Sequence, residues 1–202
     1  MTKNVIKEFP SKYNGTIQLF QKDGALSVEV GGFVESGDPI EEIWKDVCAN
    51  FYEGENPDTI LILGFGTGSS MKAIRDLWPT SKVTGVEIDP VMITIAKKYF
   101  PLNVKGMNLV TGNAVDYVRK LPDNHSIDLI IMDCYIGGTE PDNMKTLKFL
   151  RKLKRASKRV LLNQLFLPNQ PAEMAKIDYL RELDTQYAVR ILKLPYNMII
   201  EY

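Results

Sequence analysis

The amino-acid sequence predicts an α/β fold: a seven-stranded, mostly parallel sheet with helices on both faces, preceded by a small N-terminal β-hairpin. Three observations carry this expectation. Short apolar runs alternate with helix-period segments from Thr59 to the end of the chain. One run, Ile60-Leu61-Ile62-Leu63, passes straight into Gly64-Phe65-Gly66-Thr67-Gly68-Ser69, a glycine-rich strand-to-helix turn. Before residue 37 the pattern differs, with two strand-like runs joined through an Asp-Gly pair.

The elements follow in order. Strands are expected at Gly15–Gln21 and Ala25–Val30, with Lys22-Asp23-Gly24 as their turn. Gly31-Gly32 and Ser36-Gly37 break the next run, and Asp38-Pro39 starts a helix, an N-cap residue followed by proline at the first helical position. Ile40, Ile43, Trp44 and Val47 give that helix one apolar face. The chain therefore divides into an extension, 1–37, and a main domain, 38–202. In the main domain, strands at Thr59–Leu63, Val83–Glu87, Asn108–Val110, Ile127–Met132 and Arg159–Gln164 alternate with helices at Gly68–Leu77, Pro90–Tyr99, Ala114–Leu121 and Asp142–Ala156. A further helix, Ala172–Leu183, precedes Tyr187–Leu192 and Met198–Tyr202, which read as a closing antiparallel pair.

Composition narrows the function classes. With 202 residues, 45% hydrophobic and 25% charged, the chain suits one compact core rather than two domains and a linker. Lys+Arg and Asp+Glu balance at 25 each, so the net charge calls for neither nucleic acid nor an anionic membrane. Cys48 and Cys134 are far apart and in no CxxC spacing, and they read as reduced core thiols. No metal site is expected. His125 is the only histidine and lies in a polar loop, which removes a His-centred triad or a His-rich metal centre. Met1–Pro10 has no apolar core of a signal peptide, and no stretch approaches 18 uncharged apolar residues, so the expected location is the cytoplasm. The basic stretch from Lys145 to Arg159 is striped by Met144, Leu147, Leu150 and Leu153 at helical spacing and reads as a solvated helix face.

Four features then fall at the carboxyl edge of one sheet, where open α/β folds bind ligands. The glycine turn lets the backbone bend tightly and approach a ligand, beside the free N–H groups of a helix start. Glu87 ends the next strand, 23 residues after Gly64, where a carboxylate can accept both hydroxyls of a ribose. Asn113, in Thr111-Gly112-Asn113-Ala114, reads equally as an N-cap and as an amide within reach of an adenine amino group. Asp133 follows Ile127–Met132 and opens the turn-rich Cys134–Pro141. Asp89, before Pro90, is explained as the cap of the next helix, and Trp44 and Trp78 as core.

Taken together, ILILGFGTGSS, VTGVEIDPVMITIAKKYFP, VTGNAVDYV and IDLIIMDCYIGGTEP resemble the successive motifs of spermidine synthases and their relatives in the class I S-adenosylmethionine-dependent methyltransferase superfamily. NGTIQLFQKDGALSVEVGGFVESG is similar to the hairpin that precedes the Rossmann-like core in that family. The resemblance implies that S-adenosylmethionine, or its decarboxylated form, is a co-substrate. It would be held by Gly64, Phe65, Gly66, Gly68, Glu87, Ile88, Asn113, Ala114 and Asp133. A small-molecule acceptor would be aligned near Asp133 and Tyr135, and a homodimer is compatible with it. Three departures stand out. Thr67, Asn113 and Ile136 occupy positions where spermidine synthases usually carry acidic residues, leaving Asp133 to match the catalytic carboxylate. Glu35, Glu140 or Asp142 would restore negative charge.

The expected activity is group transfer, with methyl transfer to a small acceptor placed ahead of aminopropyl transfer because of those missing acids. A catalytically silent adenosyl-binding scaffold is the reading from another class. An NAD-dependent oxidoreductase shares the glycine turn and the strand-end acid but lacks an evident hydride-transfer partner.

Overall fold

The computed structural model describes residues 4–51, 54, 56–136, 139–165, 180–195 and 197–202. Strand β5 (Thr59–Leu63), the middle of five parallel strands, has its last four residues at most 2% exposed. On one side lie β6 (Lys82–Glu87) and β7 (Asn108–Thr111), and on the other β8 (Ile127–Met132) and β9 (Ser157–Leu165), all running parallel to β5. Beyond β9 come β11 (Asn197–Glu201) and then β10 (Arg190–Lys193), both antiparallel, so the sheet order is β10-β11-β9-β8-β5-β6-β7. The connections leave β5 in opposite directions, which opens a crevice at the carboxyl ends of the strands.

Burial on both faces explains the continuous apolar runs. Ile60 and Ile62 point to one layer, packing with Trp44 and Val47 of α1 (Asp38–Phe51) and Ala73 and Ile74 of α2 (Ser70–Leu77). Leu61 and Leu63 point to the other, with Val115 and Val118 of α5 (Ala114–Arg119) and Leu150 and Leu153 of α6 (Leu147–Ala156). Each such side chain contributes about 1.5–3 kcal/mol when taken fully out of water. Two helices follow β6: α3 (Pro90–Tyr99), capped by Asp89, and the short α4 (Pro101–Val104).

The expected hairpin is the middle of a larger structure. Strands β1 (Asn4–Ser11), β2 (Gly15–Lys22), β3 (Ala25–Val30) and β4 (Phe33–Ser36) form a four-stranded antiparallel sheet in that order. Asp23 and Gly24 join β2 to β3 with φ of 51° and 87°, the left-handed pair that a two-residue hairpin turn requires. Strand β1 escapes sequence reading because it is a mostly exposed edge with no buried face to impose an alternating pattern. The sheet buries Ile17, Leu19, Val28 and Val30 against Met92 and Ile95 of α3. Ser11 and Asn14 also donate to the Asp89 carboxylate at 2.5 and 2.6 Å.

Other boundaries differ locally. The helix expected over Asp142–Ala156 is divided: Asp142–Met144 is a 3-10 turn, and Thr146 caps α6 by accepting from Phe149 N–H at 3.3 Å. Helix α2 starts at Ser70 rather than Gly68, and β10 starts at Arg190 rather than Tyr187. Of the helix expected over 172–183, positions 172–179 lie outside the described residues, and 180–184 are helical.

Candidate active site

The crevice above β5 to β8 is a cleft of about 190 Å³. Gly64, Phe65, Gly66, Glu87, Ile88, Asn113, Ala114, Asp133 and Tyr135 all line it. Gly68 does not. A Cβ there would sit 2.5 Å from the Phe65 ring, so this glycine makes room for core packing beneath the turn. Gly64 is equally constrained, since a Cβ would lie 2.2 Å from the Asp133 carbonyl oxygen at a φ of 79°. Gly66 is the glycine that faces outward: its φ is 56° and no atom lies within 4 Å of where a Cβ would be.

Glu87 fixes this turn. Its carboxylate accepts from Gly66 N–H at 2.7 Å and from Asp89 N–H at 2.9 Å, and it is only 7% exposed. Burial raises its pKa, while the backbone N–H donors pull it down. Each carboxylate oxygen still has a second lone pair for a ligand hydroxyl. Nearby, Ser69 is buried at 6% exposure, lines the cleft, and its Oγ has no hydrogen-bond partner among the described residues. A backbone cradle open at Gly66, a carboxylate behind it and an orphaned hydroxyl at its edge fit a polar, hydroxylated ligand such as an adenosyl group. Asn113 is the N-cap, its Oδ1 accepting from Val115 and Asp116 N–H at 2.8 and 3.3 Å. The side chain therefore presents its Nδ2 donor to the cleft, which suits an aromatic ring nitrogen better than an adenine amino group.

On the other wall stands Asp133, at the end of β8. Asn163 of β9 donates to its Oδ1 at 2.8 Å, and the polar edge of the Trp44 side chain also favours the ionised carboxylate. Burial outweighs both donors and raises its pKa to about 6. Glu35 reaches the same cleft from β4, and burial first, then the charges of Asp133 and Glu87, raise its pKa to about 8. Among the described residues neither carboxylate makes an ion pair.

The other candidate acids point elsewhere. Glu140 is buried against Gln164, whose Nε2 donates to it at 3.3 Å, and Asp142 is exposed and paired with Lys145 at 3.3 Å. Neither lines this cleft. The Tyr135 hydroxyl donates to Asn163 C=O at 2.6 Å and accepts from Leu165 N–H at 2.8 Å, so it pins the wall to β9. Those two bonds occupy the groups a proton-transferring tyrosine would need.

Trp44 and Asn163 were not legible as site residues. Trp44 sits in an apolar stripe like any core tryptophan. Asn163-Gln164 does leave a trace, because two amides ending an apolar strand buried on both faces need partners, the reasoning that singles out Glu87. His125 is exposed, its Nδ1–H donating to Ser157 C=O at 2.9 Å. In the basic stretch, helix α6 carries Lys152 and Arg155 on Asp123 and Arg151 on Glu182, while Lys158 at the start of β9 pairs with Asp128. Both cysteines are buried free thiols, Cys48 pushed up to about 12. Among the described residues no helix is long and apolar enough to cross a membrane, and no cluster of potential metal ligands occurs.

Residues 60–159 match a family described as "Methyltransferase domain". A glycine turn above β5, with an acid ending the next strand, therefore sits in a domain with the Rossmann-like class I methyltransferase fold, and over these residues the chain is similar to that family. The chain is 36% identical over 101 residues to a polyamine aminopropyltransferase of Vibrio vulnificus, covering 49% of this chain and 34% of that protein. It is 32% identical over 134 residues to one of Thermoplasma volcanium, covering 64% and 41% respectively. A probable spermidine synthase of Corynebacterium glutamicum superposes with a TM-score of 0.79 at 17% identity, over 98% of this chain and 80% of that one. In sequence and fold the chain is thus spermidine synthase-like, and its matched part spans well under half of these curated relatives.

Proposed function

We propose that the protein is an aminopropyltransferase-type enzyme that uses decarboxylated S-adenosylmethionine and an amine acceptor. The observation that carries this reading is the pair of half-buried carboxylates, Asp133 and Glu35, lining one cleft beside the glycine turn, neither in an ion pair among the described residues. An ammonium about 4 Å from a carboxylate gains about 4 kcal/mol at an effective dielectric near 20, which repays its desolvation. The names of the relatives favour aminopropyl transfer over methyl transfer.

In this reading Gly64, Phe65, Gly66, Glu87, Ile88, Asn113 and Ala114 hold the adenosyl part of the donor. Residues 1–37 form an extension that delivers Glu35 to the domain of residues 38–202. The donor supplies a sulfonium-activated carbon. Asp133, held by Asn163, takes a proton from the acceptor ammonium. The freed amine nitrogen forms the new N–C bond to that carbon while the S–C bond breaks, its electron pair staying on sulfur. Methylthioadenosine leaves. Alignment and exclusion of water supply much of the rate.

One observation favours methyl transfer as the second reading. The orphaned Ser69 hydroxyl, which lines the cleft beside the first turn of α2, suits the carboxylate of the full donor. Chromatography separates the two. Methylthioadenosine released from the decarboxylated donor only when amine is present supports aminopropyl transfer. S-adenosylhomocysteine from the full donor, with no methylthioadenosine, supports the second reading.

A further inference from the structure

Past Asp133 the acceptor side opens into a second cavity of about 100 Å³. Glu35, Ile40, Asp133 and Tyr135 line both cavities, so they form the partition between them. The far part of the second cavity has a different chemistry. Phe33, Val34 and Leu165 give it an apolar wall, and Asn163 and Asn197 a neutral one. The amide donors of that neutral wall and the Asn163 side-chain oxygen are engaged. Asn197 Nδ2 donates to Asn163 Oδ1 at 2.9 Å, Asn163 Nδ2 is spent on Asp133, and the Tyr135 hydroxyl bridges Asn163 and Leu165 backbone.

From this lining we infer that the acceptor carries a single ammonium group on a largely apolar tail, and is not an α,ω-diamine; the inference rests on the amine-acceptor reading above. The ammonium sits at the Glu35–Asp133 end and the tail runs along Phe33, Val34 and Leu165. Among the described residues no carboxylate lines that far part, so a second ammonium would leave water to face apolar side chains and amides, which is unfavourable. Two further observations agree. Phe33 and Val34 are 44% and 40% exposed, a pair of large apolar side chains at the cavity that an apolar tail would cover. At neutral pH Asp133, near 6, is ionised and Glu35, near 8, is mostly protonated, so the pair holds about one charge for one ammonium to balance.

The test is calorimetric titration of the full chain saturated with methylthioadenosine, using n-pentylamine, 2-phenylethylamine and cadaverine. The expected result is that the two monoamines bind at least about tenfold more tightly than cadaverine, a difference worth about 1.4 kcal/mol. Cadaverine binding as tightly as pentylamine overturns the inference, and so does failure of every amine to bind. Phe33→Asp, an exposed change on β4, is expected to reverse the order by giving the far ammonium a partner, and an unchanged order would overturn the placement of the tail. The broader reading fails separately: monoamines that bind yet release no methylthioadenosine from the decarboxylated donor sink aminopropyl transfer while leaving the acceptor class in place.

Discussion

The two walls of the cleft are built in different ways. The donor wall comes from consecutive strand-to-helix turns, after β5, β6 and β7, and its polar contacts are short-range or between neighbouring strands, such as Glu87 to Gly66 N–H. The acceptor wall is assembled from β4, α1, β8 and β9, with Trp44 and Asn163 meeting on Asp133 across 89 and 30 residues of sequence. One wall is a property of local turns, and the other exists only when distant elements pack. The donor wall should therefore respond to mutation through backbone geometry and ligand affinity, and the acceptor wall through protonation and turnover.

The largest expected effect is on the acceptor wall. Asp133→Asn should reduce turnover by about 10²–10⁴-fold, the usual scale for a positioned acid or base, with little change in adenosyl affinity. Steady-state rates beside calorimetric titration with methylthioadenosine check this, and a parallel loss of nucleoside affinity would blur the distinction between the walls. Gly64→Ala tests the donor wall as structure. A methyl group 2.2 Å from the Asp133 carbonyl, at a φ of 79°, should cost about 2–5 kcal/mol of stability in chemical denaturation. Wild-type stability would show that the turn has more freedom than its geometry implies.

Glu87→Ala should weaken adenosyl binding by about 1.5–3 kcal/mol, and the fold should lose about 1–3 kcal/mol as well because the Gly66 and Asp89 N–H groups lose their acceptor. Titration and unfolding measured on one preparation separate the two. Trp44→Phe keeps most of the packing and removes the polar edge that favours the ionised Asp133, so the acidic limb of the pH–rate profile should move to higher pH. An unmoved limb would reduce Trp44 to packing alone.

The smallest effect is a change of slope. Glu35 rises from its ordinary 4.5 to about 8 in the fold, so between those pH values the unfolded chain has lost a proton that the folded chain keeps. Its contribution to stability is thus full below pH 4.5 and is lost as pH rises through about 8. Glu35→Gln should flatten the decline of Tm over that window and leave the mutant relatively more stable at the alkaline end. A decline as steep as that of wild type would mean that Glu35 is solvated.

The amino-acid sequence by itself determined the sheet, its helices and the donor wall. The physical reason is locality: a strand buried on both faces must be apolar throughout, a tight turn must spend glycines, and a helix start must be capped, so Ile60–Leu63, Gly64–Gly68 and Asp89-Pro90 declare themselves within a few residues. Even there it did not separate the structural glycines 64 and 68 from the outward-facing Gly66, because that depends on which neighbour lies above each Cβ. Only the tertiary structure decided the acceptor wall. Which acid among Glu35, Glu140 and Asp142 faces Asp133, and that Tyr135 is pinned by β9, depend on β4 reaching the carboxyl ends of β8 and β9. A carboxylate's role is set by what surrounds it in space, and its sequence neighbours carry no record of a partner nearly a hundred residues away.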